Sequence, residues 1–437
     1  MISPTDAIQR LDAWLETMRG PAGYGGPVAH WWQQCFRFTG SAADWRYEGI
    51  ILGYLRLWQR TAAEVWLDRA CRAADDVAAL ALPSGGYRNS SFELNPAPFG
   101  TPHEAACDVA LLRLALALRA KGQRDAAARR YADIAARNLR QVYAGMLWDP
   151  VAGAFRDLPS AGAFVPNKQA TAAEAWLALA EWEDAPALSE RYALPCLRAI
   201  GRAQVQSGPY LGAIDQILTA TRQGWKPSGR YFPLYIARCL PALVQGAKHF
   251  GDHRFADAAT MAACFVAASV SGDGSLSLLR YCSGKERRDP VWVAALGDVL
   301  GGLAATEQVA GPPPPTSTQA FLLAGQDVTG GIRTAHGFAR ILGPWRPDDP
   351  PEFRDLLHVA GWNDKALRYL AELADPSVRP MSAPDFLLDT PCSFHGRRLR
   401  FLESPLELRL EQAGRTIYYW RKGTELATIA EPWLDVR

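Results

Sequence analysis

HEAACDVALLRLALALRAKG, residues 103–122, runs directly into QRDAAARRYADIAARNLRQVY, residues 123–143. The first stretch is apolar nearly all round, while the second carries charge on one face. Such a pair predicts an inner helix and a half-solvated outer helix, antiparallel across a short turn at Gly122. The pattern recurs. YEGIILGYLRLWQRT (47–61) leads into 62–81, ATAAEAWLALAEWEDA (170–185) into 186–204, and YFPLYIARCLPALVQGAKHFG (231–251) into 252–269. A further inner pattern, DPVWVAALGDVLGGLAAT, starts at 289. The repeat is roughly 60–67 residues, a period that signals an array of like units. Aligned turns fall near Thr61, Gly122, Asp184 and Gly251.

The segments between pairs are long: 20–46, 82–102, 144–168, 206–230 and 270–288. Each precedes an inner helix, so a ring of hairpins collects them on one face. Residues 4–19 read as a helix that completes the ring. The expected fold is mainly α, an (α/α) toroid of about six helical hairpins with a small C-terminal antiparallel β region. Two parts are expected: the toroid at 1–310, and at 311–437 a linker, a mixed segment and a β-meander packed on the toroid. GPPPPTST (311–318) is the extended break. Period-two alternation across 397–432, as in RRLRFLE and LELRLEQ, marks the meander.

The layout resembles the six-hairpin toroid of glycosidases, polysaccharide lyases and some sugar epimerases. VPNKQATAAEAWLALAEWED (165–184) and YIARCLPALVQGAKHFGDHRF (235–255) carry that resemblance, which covers about residues 1–310. It implies a carbohydrate-active enzyme, glycoside hydrolase-like, whose partner is an oligosaccharide or polysaccharide. Terpenoid cyclases share the architecture, but no DDxxD motif is present.

Composition narrows the field. The 437 residues carry a formal charge of +2 from 47 basic and 45 acidic side chains, which gives no electrostatic case for nucleic acid or a membrane surface. No run of about 18 apolar residues suggests a membrane span. The N-terminus has no basic stretch followed by an apolar one, so no signal peptide is read and a cytoplasmic location is expected. The eight cysteines show no CxxC spacing and fit free thiols. No phosphate loop or GxGxxG follows a strand, and the histidines show no metal-binding pairing, so no cofactor and no metal are expected.

Glycoside hydrolysis needs two carboxyl groups facing each other across the bond. Asp44 or Glu48 from the first hairpin, Glu104 from the second and Asp215 from the fourth are the candidates, taken from different walls of the ring. Asp108, one turn beyond Glu104, reads as structural. Elimination or epimerisation would instead use a base such as His103, Tyr87 or Tyr231. Trp31, Trp32, Trp45, Tyr87, Trp225 and Tyr231 offer stacking surfaces for a sugar face. Arg88, Asn89, Asn167 and Arg230 offer hydrogen bonds, and the arginines would suit a uronate carboxylate. A toroid that binds glycan or protein without catalysis is the alternative of another class.

Overall fold

A computed structural model describes residues 2–29, 36–88, 104–160, 162–222, 224–342, 346, 348–383 and 385–434. Six inner helices form a closed ring: α2 (Arg46–Thr61), α4 (Ala105–Lys121), α6 (Pro166–Glu183), α8 (Leu240–Phe250), α10 (Leu296–Thr306) and α12 (Ala360–Leu373). Each packs on the next, and α12 returns to α2. The outer layer is α1 (Pro4–Met18), α3 (Glu64–Ala79), α5 (Asp125–Asn138), α7 (Leu194–Ala203), α9 (His253–Ala267) and α11 (Thr316–Ala324). The fold is the (α/α) toroid that the repeat predicts. Among the described residues, no helix is long and apolar enough to cross a membrane.

The turns fall where the repeat puts them. Ala62, Gly122, Asp184 and Gly251 end the inner helices in the left-handed conformation, with φ of 53°, 61°, 52° and 63°. That conformation closes the last helical turn and reverses the chain into the outer helix.

The ring is larger than the expected 1–310. Its sixth inner helix is α12, at 360–373, and the outer partner of α12 is α1. A toroid confined to residues 1–310 would therefore lack one wall. No repeat unit signals α12, because its outer partner stands at the other end of the chain. Ser3 caps α1, its hydroxyl accepting from the Asp6 N–H at 3.1 Å.

After each outer helix the chain makes a very short β-hairpin, pairing Gly20 with Gly23, Ala81 with Tyr87, Asp149 with Ala154, Gln204 with Ile214, Val270 with Leu276, and Gln326 with Ile332. Each hairpin carries a positive-φ glycine seated on the next outer helix or its continuation. At Gly212 (φ +85°) a Cβ would lie 2.1 Å from the Met261 carbonyl of α9. At Gly330 (φ +88°) it would lie 2.4 Å from the Arg10 carbonyl of α1, so the sixth hairpin closes on the first helix.

The core is continuous through both helical layers. Trp14, Trp66 and Trp176 are wholly buried in it, so much of the indole content is packing rather than binding surface. Residues 388–429 form a five-stranded antiparallel meander: β1 (Leu388–Phe394), β2 (Arg397–Glu403), β3 (Glu407–Gln412), β4 (Arg415–Arg421) and β5 (Thr428–Ile429). It stands against the first long segment. Trp420 packs on Phe38 at 5.6 Å, and Glu425 accepts from the Ser41 hydroxyl at 2.7 Å. Deeper down, His358 lies between Asp327 of the sixth hairpin and Glu403 of β2, and Glu403 also pairs with Lys422.

Candidate active site at the loop end of the ring

All six inner helices point their N-termini toward the long segments, so residues in their first turns meet at one end. The candidates separate there into two groups. His103, Trp31, Trp32 and Asn89 lie outside the described residues.

The first group gathers where α2 and α4 begin. The Ala43 N–H donates to the Arg88 carbonyl at 2.9 Å, which ties the two segments together. Asp44 is buried and gripped by Arg46, whose Nη2 and Nε each lie 2.7 Å from its carboxylate oxygens. Both oxygens of Glu104 accept, one from the Tyr87 N–H at 3.2 Å and the other from Asn138 Nδ2 at 2.6 Å. The Tyr87 phenol donates to Asp108 at 2.7 Å. Burial pushes the Asp108 carboxyl well above the usual value, and Glu104 adds to this; the Tyr87 hydrogen bond offsets only part. Asp108 therefore holds its proton. Tyr87 is also pushed up by burial and by Asp108, so it is a donor and not a base.

The Cys107 thiol lies among these groups. Burial, then the neighbouring carboxyls of Asp108, Asp44, Glu104 and Glu48, raise it well above the ordinary thiol value. Four carboxyl groups from two walls of the ring thus act on one side chain, whose Sγ donates to the Asp44 carbonyl at 3.3 Å.

Glu48 extends this group toward the ring axis. Its Oε1 accepts from Arg238 at 2.5 Å and from Arg368 at 3.1 Å. Burial alone would raise Glu48, but Arg238, Arg368 and Lys365 hold it ionised, below the usual glutamate value. Arg238 also donates to Glu174 of α6 at 2.9 Å. Asp364 of α12, pushed well above its usual value by burial and only partly offset by Lys365, adds a second proton-bearing carboxyl.

The second group comes from the fourth hairpin. Asp215 holds a turn. It accepts from the N–H groups of Ile217, Ser228 and Gly229 and from the Ser228 hydroxyl, at 2.6–3.1 Å. Tyr231 is buried against Tyr210 at 5.2 Å. Trp225 is half-buried edge-on to Phe164, and Arg230 is exposed. Of the remaining candidates, Trp45 is half-buried with its indole N–H on the Gly361 carbonyl at 2.8 Å. Arg88 is exposed, and Asn167 is half-buried in the first turn of α6.

The sequence reading did not single out Arg238, Glu174, Asp364, Lys365, Arg368 or Asn138. A usable signal was there: Glu174 in ATAAEAWLALA and Arg238 in YIARCLPAL are single charges inside otherwise apolar helices. Such a charge has to find a partner across the ring.

No family model matches the chain, and no curated protein matches it. Solved structures do. An unsaturated glucuronyl hydrolase from a Bacillus species is 15% identical with a TM-score of 0.58, covering 84% of this chain and 95% of its own. A sugar epimerase from a ruminal bacterium is 13% identical with a TM-score of 0.61, covering 86% and 100%. An α-1,6-mannanase from a Salegentibacter species is 10% identical with a TM-score of 0.52, covering 85% and 99%. The chain has the (α/α)6-toroid fold of these enzymes.

Proposed function

We propose that the protein is a carbohydrate-active enzyme, glycoside hydrolase-like in its chemistry, acting on an oligosaccharide at the loop end of the ring. The observation that carries this reading is the convergence of Asp44, Glu48, Glu104 and Asp108 around Cys107. Within that cluster Asp108 keeps its proton and Glu48 is held ionised. Carboxyls whose surroundings drive their protonation apart are the arrangement that acid and base roles require. Glu104, at the very start of α4, is the group assigned to meet the glycosidic bond, with Asp108 and Tyr87 positioning it. All three are buried. Trp45, Arg88, Asn167, Trp225 and Arg230 are assigned to hold the sugar. The named activities of the structural neighbours support a saccharide substrate, and the mannanase neighbour was solved with mannotetraose.

Elimination or epimerisation with Tyr87 or Tyr231 as base is the second reading. It is weakened at Tyr87, where the phenol is held protonated. The test is a panel of neutral and uronate-bearing oligosaccharides, with products followed by reducing ends, near-ultraviolet absorbance and NMR. Hydrolysis by the native chain, reduced at least about 100-fold in Glu104→Gln and kept in Asp215→Asn, is the expected result. An unsaturated product, an epimer, or binding without turnover would each overturn it.

A further inference from the structure

A cavity of about 420 Å³ opens at the opposite end of the ring, the end of the short turns. Its mouth is formed by Arg56, Glu372 and Gln308, at the C-terminal ends of α2 and α12 and just beyond α10. Arg56 Nε meets Glu372 at 2.7 Å, and both side chains are exposed there, 39% and 49%. Arg238 and Arg368 line it deeper in, each donating to Glu48 behind the wall.

Helix α10 shows how the space arises. A Cβ at Gly297 would lie 2.1 Å from the Lys365 carbonyl, and one at Gly302 would lie 2.5 Å from the Ala237 carbonyl. Those two glycines let α10 approach its neighbours on both sides. Gly301 stands between them, and a Cβ there would meet nothing within 4 Å. It faces the cavity. Asp298, one turn earlier on the same face, makes no side-chain hydrogen bond or ion pair among the described residues.

The lining chemistry defines a ligand. The guanidinium groups of Arg56, Arg238 and Arg368 already face the carboxyls of Glu372, Glu48 and Glu174. Asp298 adds a further acceptor, so no cation is left over for an anion. What the walls offer is a mixture of donors and acceptors beside small glycine and alanine surfaces. A polyhydroxylated molecule satisfies both, and the volume is at the lower end of the range for small-molecule sites. We propose that this cavity is a binding site for a neutral saccharide of one or two residues, entering from the short-turn end, with Asp298 accepting from its hydroxyls. The site is entered from the short-turn end and does not depend on the chemistry proposed at Glu104, while its floor at Arg238 and Arg368 backs onto Glu48 of the loop-end group.

Calorimetric titration of the full chain tests it, with glucose, cellobiose, glycerol and glucuronate as probes. Glucose or cellobiose should bind, and glucuronate should bind at least tenfold more weakly. Gly301→Val places its side chain in the open space and should weaken binding at least tenfold, with the circular dichroism spectrum unchanged. Asp298→Asn should weaken it as well, and it guards against a folding defect in the valine variant. Glu104→Gln should leave this binding intact even where it stops turnover. No binding by any probe, preference for glucuronate, or binding that survives Gly301→Val and Asp298→Asn would overturn the proposal. Loss in Glu104→Gln alone would assign the binding to the loop end and overturn it equally.

Discussion

The Tyr87 hydroxyl donates to Asp108 from a position where neither side chain meets solvent. The second oxygen of Asp108 has no hydrogen-bond partner among the described residues. An acid raised in the folded state contributes stability below its unfolded value and loses it as pH rises. At neutral pH Asp108 therefore weighs against folding. Asn resembles the neutral acid in shape and still accepts from Tyr87. Asp108→Asn should leave the melting temperature at pH 7 unchanged or raise it. Tyr87→Phe should lower stability by about 1–2 kcal/mol through the lost hydrogen bond. Thermal melts of the two variants side by side check this.

The same pH dependence, over a higher window, holds at the junction of ring and sheet. Burial would lower His358, but Asp327 and Glu403 outweigh it and raise the imidazole to about 9. Its folded value exceeds the unfolded 6.5. The stability it contributes, about 3 kcal/mol, is whole below about pH 6.5 and disappears as pH rises through about 9. Comparing His358→Gln with the native chain in urea isolates this term. The difference should be largest near pH 6 and shrink toward pH 9.

Glu403 works in the other direction. Burial would raise it, yet Lys422 and His358 hold it at about 2. Its contribution is present above pH 4.5 and is lost as the pH falls toward 2. Lys422→Met should therefore cost about 3–5 kcal/mol at pH 7 and much less at pH 3, measured by urea denaturation.

Glu48→Gln removes the charge opposite two buried guanidinium groups. Arg238 keeps Glu174 as a partner, whereas Arg368 makes no other ion pair among the described residues. A loss of about 3 kcal/mol in urea denaturation is expected. Any kinetic effect of this variant should be read only on the folded fraction.

Two glycines separate backbone strain from crowding. Gly122 (φ +61°) has open space at its Cβ, so Gly122→Ala should cost about 1 kcal/mol. Gly330 has a similar backbone demand plus the Arg10 carbonyl at 2.4 Å from that position. Gly330→Ala should cost clearly more, about 3 kcal/mol, because backbone and not a flexible side chain must move. Melting curves of the two variants decide between strain alone and strain with collision.

Helix pairing was legible because period and turn agree. An apolar helix, a residue able to take positive φ and a one-sided charged helix occur together, and the structure turns at those same residues. The sixth pair was hidden because its two helices are separated in sequence by the rest of the ring. A second repeat was available in the short turns LPSGGY, SGDGSL and VTGGI. It could have placed the hairpin after each outer helix and carried the ring past residue 310. Site residues were legible only in part. Asp44, Glu48 and Glu104 begin adjacent helices, and Tyr87 reaches them from the hairpin after α3. Asp215 is held mainly by backbone N–H groups, and sequence alone does not show where these point.

Helix α1 ends at Met18, and the inner helix that it covers starts at Ala360. The glycine that docks on it is at 330. During synthesis, then, α1 leaves the ribosome before the helix that it covers and is among the last to be seated. Until α12 emerges, the nascent chain is an open arc whose two ends, at α2 and α10, present bare apolar flanks. A chain cut after α10 would leave those flanks uncovered, because the seam at Arg10 and Gly330 closes only when the sixth pair is present.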